Sequence, residues 1–195
     1  MSKPSVFVKI PRERIGVLIG PDGQVKETVE KKLSVLLQID SESGDVTITQ
    51  NTTEQDPTIL FRAREVVTAI GRGFSPERAF RLFEDEDIVL DVIDLREIVG
   101  RSLSDIKRVE GRVIGKTGKT RKIIEELTET YVSVYGYTIS IIGGIDQIET
   151  AREAVLMLIR GSQHSTVYRF LHKKRRELKK KKLELWETPY EKLEK

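Results

Sequence analysis

Two short segments of the chain place a pair of glycines three residues apart, Gly20-Pro21-Asp22-Gly23 and Gly115-Lys116-Thr117-Gly118. Glycine has no Cβ, so such a pair lets the backbone come close to a ligand, and a helix that starts just after it offers unpaired N–H groups to an anion. The second pair is set among cations. Over residues 107–127 seven basic side chains stand against three acidic ones, which suits a phosphate clamp. The residues read as its contacts are Arg112, Val113, Ile114, Gly115, Lys116, Thr117, Gly118, Lys119, Thr120, Arg121 and Lys122. Apolar positions beside it, Val113 and Ile114 before the loop, Ile123 and Ile124 after it and alternate residues of 132–135, are expected to floor a groove. The first pair differs: Pro21 removes an N–H donor and Asp22 puts a negative charge where a phosphate would sit. Residues 12–32 hold five basic and four acidic side chains, so Gly20, Pro21, Asp22 and Gly23 are read as a degenerate loop.

The Gly115-Lys116-Thr117 triplet also ends like a nucleotide-binding P-loop, but the resemblance fails on spacing. That motif needs one more residue between its outer glycines and a strand in front, whereas Glu110 occupies the required position and a helix is read upstream. No cysteine is present, and two histidines, His164 and His172, are too few for a histidine-rich metal centre. The chain is therefore read as a binding protein, with no cofactor and no metal, rather than an enzyme.

The elements that must position these loops form an internal repeat. VLIGPDGQVK at 17–26 aligns without gaps on RVIGKTGKTR at 112–121, an offset of 95 positions. Downstream of each loop an alternating, β-branched run broken by a turn residue reads as a hairpin, VLLQIDSESGDVTIT in the first copy and VSVYGYTISII in the second. Helical periodicity follows at 57–72, where Ile59, Leu60, Ala63, Val66, Val67 and Ile70 share a face, and at 145–160. Strands at 6–10 and 88–94 open the copies, and a helix over 104–114, capped by Ser102 or Ser104, leads into the second loop. Each copy thus runs strand, helix, glycine loop, helix, strand, strand, helix, a three-stranded antiparallel sheet packed on three helices in an α+β fold. Between the copies Ser75 and Pro76 start a short helix, and acidic residues 84–87 mark the boundary. The division expected is 1–84, 85–182 and a flexible tail at 183–195.

Charge is concentrated rather than spread. Residues 169–182 carry nine Lys/Arg and one Glu, a local +8, which leaves 25 basic and 30 acidic side chains, or −5, in the rest of the chain. A C-terminal helix bearing Lys173, Lys174, Arg175, Arg176, Lys179 and Lys180 is read as a secondary phosphate-backbone contact. The plainer alternative is a solvated helix face. Val167, Phe170 and Leu171 are expected to pack back on the second copy, with Trp186 and Tyr190 in the polar end. The N-terminus lacks the apolar stretch of a signal peptide, no apolar run is of membrane-spanning length, and the chain is read as cytoplasmic. Asn51 is the only asparagine and Lys, Arg and Glu abound, the usage of a heat-adapted protein.

The repeated glycine loop within this element order resembles the KH family, whose loop clamps about four nucleotides of single-stranded nucleic acid. The segments GRGFSPERAF at 71–80 and RVEGRVIGKTGKTR at 108–121, with the basic C-terminal helix, are similar to the two-KH ribosome-assembly factors of archaea, relatives of the eukaryotic Partner of Nob. The resemblance spans roughly residues 5–182. It implies two tandem type I KH domains and binding near the 3′ end of small-subunit ribosomal RNA. It also implies association with the alpha subunit of translation initiation factor two, the company of a pre-rRNA nuclease, and a monomer. A protein-binding scaffold on a KH frame is the alternative.

Overall fold

The computed structural model describes residues 4–51 and 56–187. The first copy contains β1 (Ser5–Lys9), α1 (Arg12–Ile19), α2 (Gln24–Leu33), β2 (Val35–Ile39), β3 (Asp45–Gln50) and α3 (Thr58–Gly71). A connecting helix, α4 (Pro76–Glu84), follows. The second copy contains β4 (Ile88–Asp94), α5 (Leu95–Val99), α6 (Leu103–Ile114), α7 (Lys119–Thr128), β5 (Tyr131–Tyr135), β6 (Thr138–Gly144) and α8 (Ile145–Ile159), and α9 (His164–Glu187) ends the described chain. The two sheets are antiparallel, with strand orders β1-β3-β2 and β4-β6-β5. The expected architecture, two three-stranded sheets in an α+β chain, is therefore present. The expected boundary at 84/85 falls between α4 and β4.

Strand alternation explains where the cores lie. In β3, Val46 and Ile48 are buried against the helices while Thr47 and Thr49 face the other way. In β6 both faces are covered. Ile139 and Ile141 belong to the second core, whereas Ile142 packs into the first, together with Ile88, Leu90 and Tyr131. The outer face of the second sheet is thus closed by the first copy, chiefly by α4. Arg78 and Arg81 lie 4.7 and 5.4 Å from the Tyr131 ring centre, and the Arg81 guanidinium donates to the Tyr131 hydroxyl at 3.0 Å. The Ser133 hydroxyl donates to the Arg72 carbonyl at 2.8 Å, and Tyr135 donates to the Glu13 carboxylate on α1.

Some local expectations change. Ser102 caps α6, accepting from the Asp105 N–H at 3.5 Å, but Ser75 sits at the N-cap of α4 without accepting a bond from the helix. The short helix α5 was not expected; Asp94 caps it by accepting from the Arg96 N–H at 2.9 Å. The flexible tail expected from residue 183 is corrected over its first part, because α9 runs to Glu187. Lysine, leucine and glutamate favour helix there, and nothing interrupts them before Pro189. Tyr190 lies outside the described residues, and Trp186 lies within α9. No helix among the described residues is long and apolar enough to cross a membrane.

Candidate nucleic-acid interface

The two glycine loops have the same backbone. α1 ends at Gly20 (φ 74°, ψ 174°), Asp22 turns left-handed (51°, 23°) and Gly23 (78°, 6°) opens α2. α6 ends at Gly115 (72°, 177°), Thr117 takes the same left-handed turn (54°, 27°) and Gly118 (78°, 10°) opens α7. The closeness of the match means that the loops differ in chemistry rather than in path. Asparagine and aspartate visit the left-handed region readily, but a β-branched threonine there costs of order 1 kcal/mol. Gly115 is fixed by contact as well as by φ. A Cβ at this position would collide with the Thr120 side chain and stand 2.9 Å from its backbone nitrogen.

The residues read as phosphate contacts separate into two groups. Lys116, Thr117, Lys119 and Lys122 are exposed around the turn, and the three lysines make no ion pair among the described residues. The Thr117 hydroxyl donates to the Lys116 carbonyl at 2.7 Å. Others turn inward. The Arg112 guanidinium donates through Nε to the Leu158 carbonyl at 3.0 Å and through Nη2 to the Ser162 carbonyl at 2.6 Å, tying α6 to the end of α8. Thr120 is buried and its hydroxyl meets that of Tyr168 at 3.0 Å. Arg121 is half-buried with its Nε enclosed and unpartnered. The expected groove floor is corrected at Val113, Ile124 and Val132, which are core residues; Ile114, Ile123 and Val134 keep partial exposure. Gly118 opens α7, and a Cβ at that position would meet nothing within 4 Å.

The basic helix is likewise not one cationic face. α9 is anchored by Val167 and Leu171, both fully buried, as its apolar residues implied. Lys173 and Lys174 pair with Glu177 at 3.9 and 3.3 Å, and Arg176 donates to the His172 carbonyl at 3.3 Å. Arg175 turns toward a cavity between α7, α8 and α9, with its Nε enclosed; Lys179 lines the same cavity and Lys180 is exposed.

Several positioning residues escaped the sequence reading. Arg14 repeats the Arg112 device in the first copy, donating to the Ile70 and Phe74 carbonyls at 2.8 and 2.6 Å. Glu30 and Glu125, one repeat apart, accept the N–H groups of Leu37 and Val132 at 2.8 and 2.9 Å, so each second helix holds its following strand by a carboxylate. The offset of 95 was the available signal for this pair. Burial, followed by the bond to Glu13, pushes the Tyr135 hydroxyl up to about 12, so it stays a donor across the neutral range. Among the described residues no group of three or more His, Asp or Glu side chains could hold a metal ion.

Comparison with known proteins bears on both copies. Residues 8–85 match the first KH domain of Krr1, and residues 89–176 match the eukaryotic type KH domain, type I, of the second PNO1 kind. A KH domain-containing protein of Methanocaldococcus jannaschii is 48% identical, the alignment covering 92% of this chain and 78% of the relative. The pre-rRNA-processing protein pno1 of Schizosaccharomyces pombe is 27% identical over 83% of this chain and 67% of its own length. Among solved structures, a protein of unknown function from Aeropyrum pernix superposes with a TM-score of 0.89 at 41% identity, over 95% of this chain and 98% of that one. A chain in the crystal structure of the a/eIF2alpha-aDim2p-rRNA complex from Pyrococcus horikoshii superposes with a TM-score of 0.83 at 48% identity, over 90% of this chain and 96% of that one. Repeat, loop geometry and these likenesses agree: the chain belongs to the two-KH-domain family of PNO1 and archaeal Dim2p.

Proposed function

We propose that this protein binds single-stranded RNA of the small ribosomal subunit, near the 3′ end of that RNA, through the glycine loop of its second KH domain during subunit assembly. The observation that carries the reading is the turn at 115–118, a left-handed backbone opening α7 and ringed by exposed lysines without carboxylate partners among the described residues. Such a turn meets successive phosphates while bases rest on adjoining apolar positions. The Pyrococcus horikoshii neighbour, which is solved with ribosomal RNA and a/eIF2alpha, supports the choice of RNA and of the initiation-factor alpha subunit as partners. A pre-rRNA nuclease as a further partner, a monomeric state and a cytoplasmic setting belong to the same reading. So does a division near 84/85 into a structural or protein-binding first domain and an RNA-binding second one. The role is binding, with no catalytic step.

The test is Lys116→Asp with Thr117→Asp, both on an exposed turn. Asp22 already holds the equivalent left-handed position in the first loop, so the backbone tolerates aspartate there. RNA affinity measured by anisotropy is expected to fall to the nonspecific level with the thermal transition unchanged. Parental affinity in a folded double mutant would remove the loop from the reading. In-cell crosslinking with mapped nucleotides tests the location: enrichment at the small-subunit RNA 3′ end is expected, and a scatter over messages would overturn it.

A further inference from the structure

The glycine loop of the second domain has two flanks, and the one turned away from β5 opens into a pocket of about 430 Å³. Its cationic and ring side chains are Arg108, Arg112, Lys116, Lys119, His164 and Tyr168, drawn from α6, the loop, α7 and the first turns of α9; Thr120 also lines it, and no carboxylate is among the lining residues. Gly111 and Gly115 leave the α6 side of the wall as bare backbone. Arg112 is held rigidly, since its Nε and Nη2 are engaged by the carbonyls at the end of α8, which leaves Nη1 for a ligand. The His164 Nε2 lies 3.0 Å from the Arg112 carbonyl and so donates to it, leaving Nδ1 unengaged by that bond. Arg108 reaches Asp105 at 3.3 Å, an exposed pair that contributes little and yields readily to a stronger anion.

A concave site that gathers four cationic side chains, of which only Arg108 has a carboxylate partner among the described residues, pays in self-repulsion unless an anion enters it. The pocket shares Lys116 and Lys119 with the exposed turn, so a strand clamped there carries its neighbouring phosphate toward this flank. Resting on the RNA reading above, we propose that this pocket is a second phosphate subsite, built by the start of α9, which takes a backbone phosphate of the same RNA strand outside the stretch clamped by the loop. The start of α9 then connects the loop to the lysines farther along the helix. Tyr168 acts as a positioning residue, because its hydroxyl bonds the buried Thr120 and keeps α9 against α7.

The phosphate chemistry would equally suit a free mononucleotide, and RNA length separates the two sources. Full-length protein and the variant Arg108→Gln/His164→Ala are titrated with four-nucleotide and ten-nucleotide single-stranded RNAs, and separately with AMP, after thermal melts establish that the variant is folded. The expected result is about a tenfold loss for the longer RNA, as for one or two charge-assisted contacts. The salt slope should shrink by about 0.7 per lost phosphate contact, with binding of the short RNA unchanged. Equal losses at both lengths, or none at either, would overturn the subsite. Tight AMP binding abolished in the variant, with the RNA length dependence intact, would overturn it in favour of a free nucleotide. Lys116→Asp/Thr117→Asp is measured alongside: unimpaired binding of the short RNA by that variant would defeat the loop reading instead, so the two failures are distinct.

Discussion

Thr117 and Asp22 occupy one backbone position in two loops of the same shape, one ringed by lysines and the other containing Pro21. If chemistry alone separates the loops, the property should be transferable. Pro21→Lys with Asp22→Thr restores a donor N–H and a cation and removes a carboxylate, on a backbone that already has the required angles. RNA affinity is expected to rise about threefold or more, and the slope of log K against log salt to steepen by roughly 0.7 per phosphate gained. An unchanged slope in anisotropy titrations would show that the first loop is turned away from the strand. Glycine spacing and surrounding charge made both loops legible in the sequence, because these are local properties. Arg112 was not legible as a tie. Whether a guanidinium meets solvent or the carbonyls at a helix end depends on where residues 158–162 pack, which no local pattern records. Val113 misled for a related reason: it continues the apolar face of α6 into the core, and adjacency to the loop says nothing about which side it faces.

At the scale of elements, period-2 and helical patterns located the described strands and the long helices, and the Ser102 cap of α6 with them, but not the cap that creates α5. α5 spans five residues, too short for a periodic signal, and exists because the Asp94 carboxylate caps it and pairs with Arg96 at 2.6 Å. The hydrogen bond from Arg96 outweighs burial and lowers the Asp94 pKa below its ordinary 3.8. Its contribution is therefore complete above the unfolded value and lost as pH falls through the lower folded one. Asparagine caps as well as aspartate but forfeits the ion pair with the partly exposed Arg96, so Asp94→Asn should cost about 0.5–1 kcal/mol at neutral pH, and the gap from the parent should close as melts are taken below the ordinary carboxylate range. A gap that persists in acid would mean that shape rather than charge matters there. α9 carries a second expectation. Cutting at Gln163 or Tyr168 would remove the buried Leu171, so the informative truncation falls after His172 and keeps that anchor. Loss of Lys173–Lys180 should weaken binding to all RNA sequences alike and reduce the salt slope, with specificity retained. An unaltered slope would return these lysines to a solvated face, the role that pairing with Glu177 already gives Lys173 and Lys174.

The two domains form one body because the second sheet has no free face. Its helices cover one side, and α4 with the 72–74 segment covers the other, which is why β6 is buried along nearly its whole length while β3 is buried only at alternate residues. The corresponding outer side of the first sheet leaves Phe7 72% and Leu36 45% exposed. Periodicity could show that β6 was apolar on both faces, but not what lay against them, since the covering residues come from the other copy. On the proposed reading the first domain would bear on RNA binding through β5, the strand it braces and that Glu125 holds to α7. Gly73 lies against β5 with no room for a side chain. It has φ +95°, and a Cβ there would stand 2.8 Å from both Ser133 Oγ and Tyr135 Cβ, the latter fixed by its strand. Gly73→Ala must therefore strain the backbone by about 1–2 kcal/mol and push β5 as well. At roughly 2–4 °C per kcal/mol for a chain of this size, the midpoint of thermal unfolding is expected to fall by about 4 °C or more. Gly16→Ala is the control, in the interior of α1 with nothing within 4 Å, and should raise the midpoint slightly. Below its melting temperature the Gly73→Ala protein should also bind RNA several-fold more weakly, through a displaced β5. A lowered midpoint with undiminished RNA affinity would show that the second domain reads RNA unaided and that the first serves stability alone.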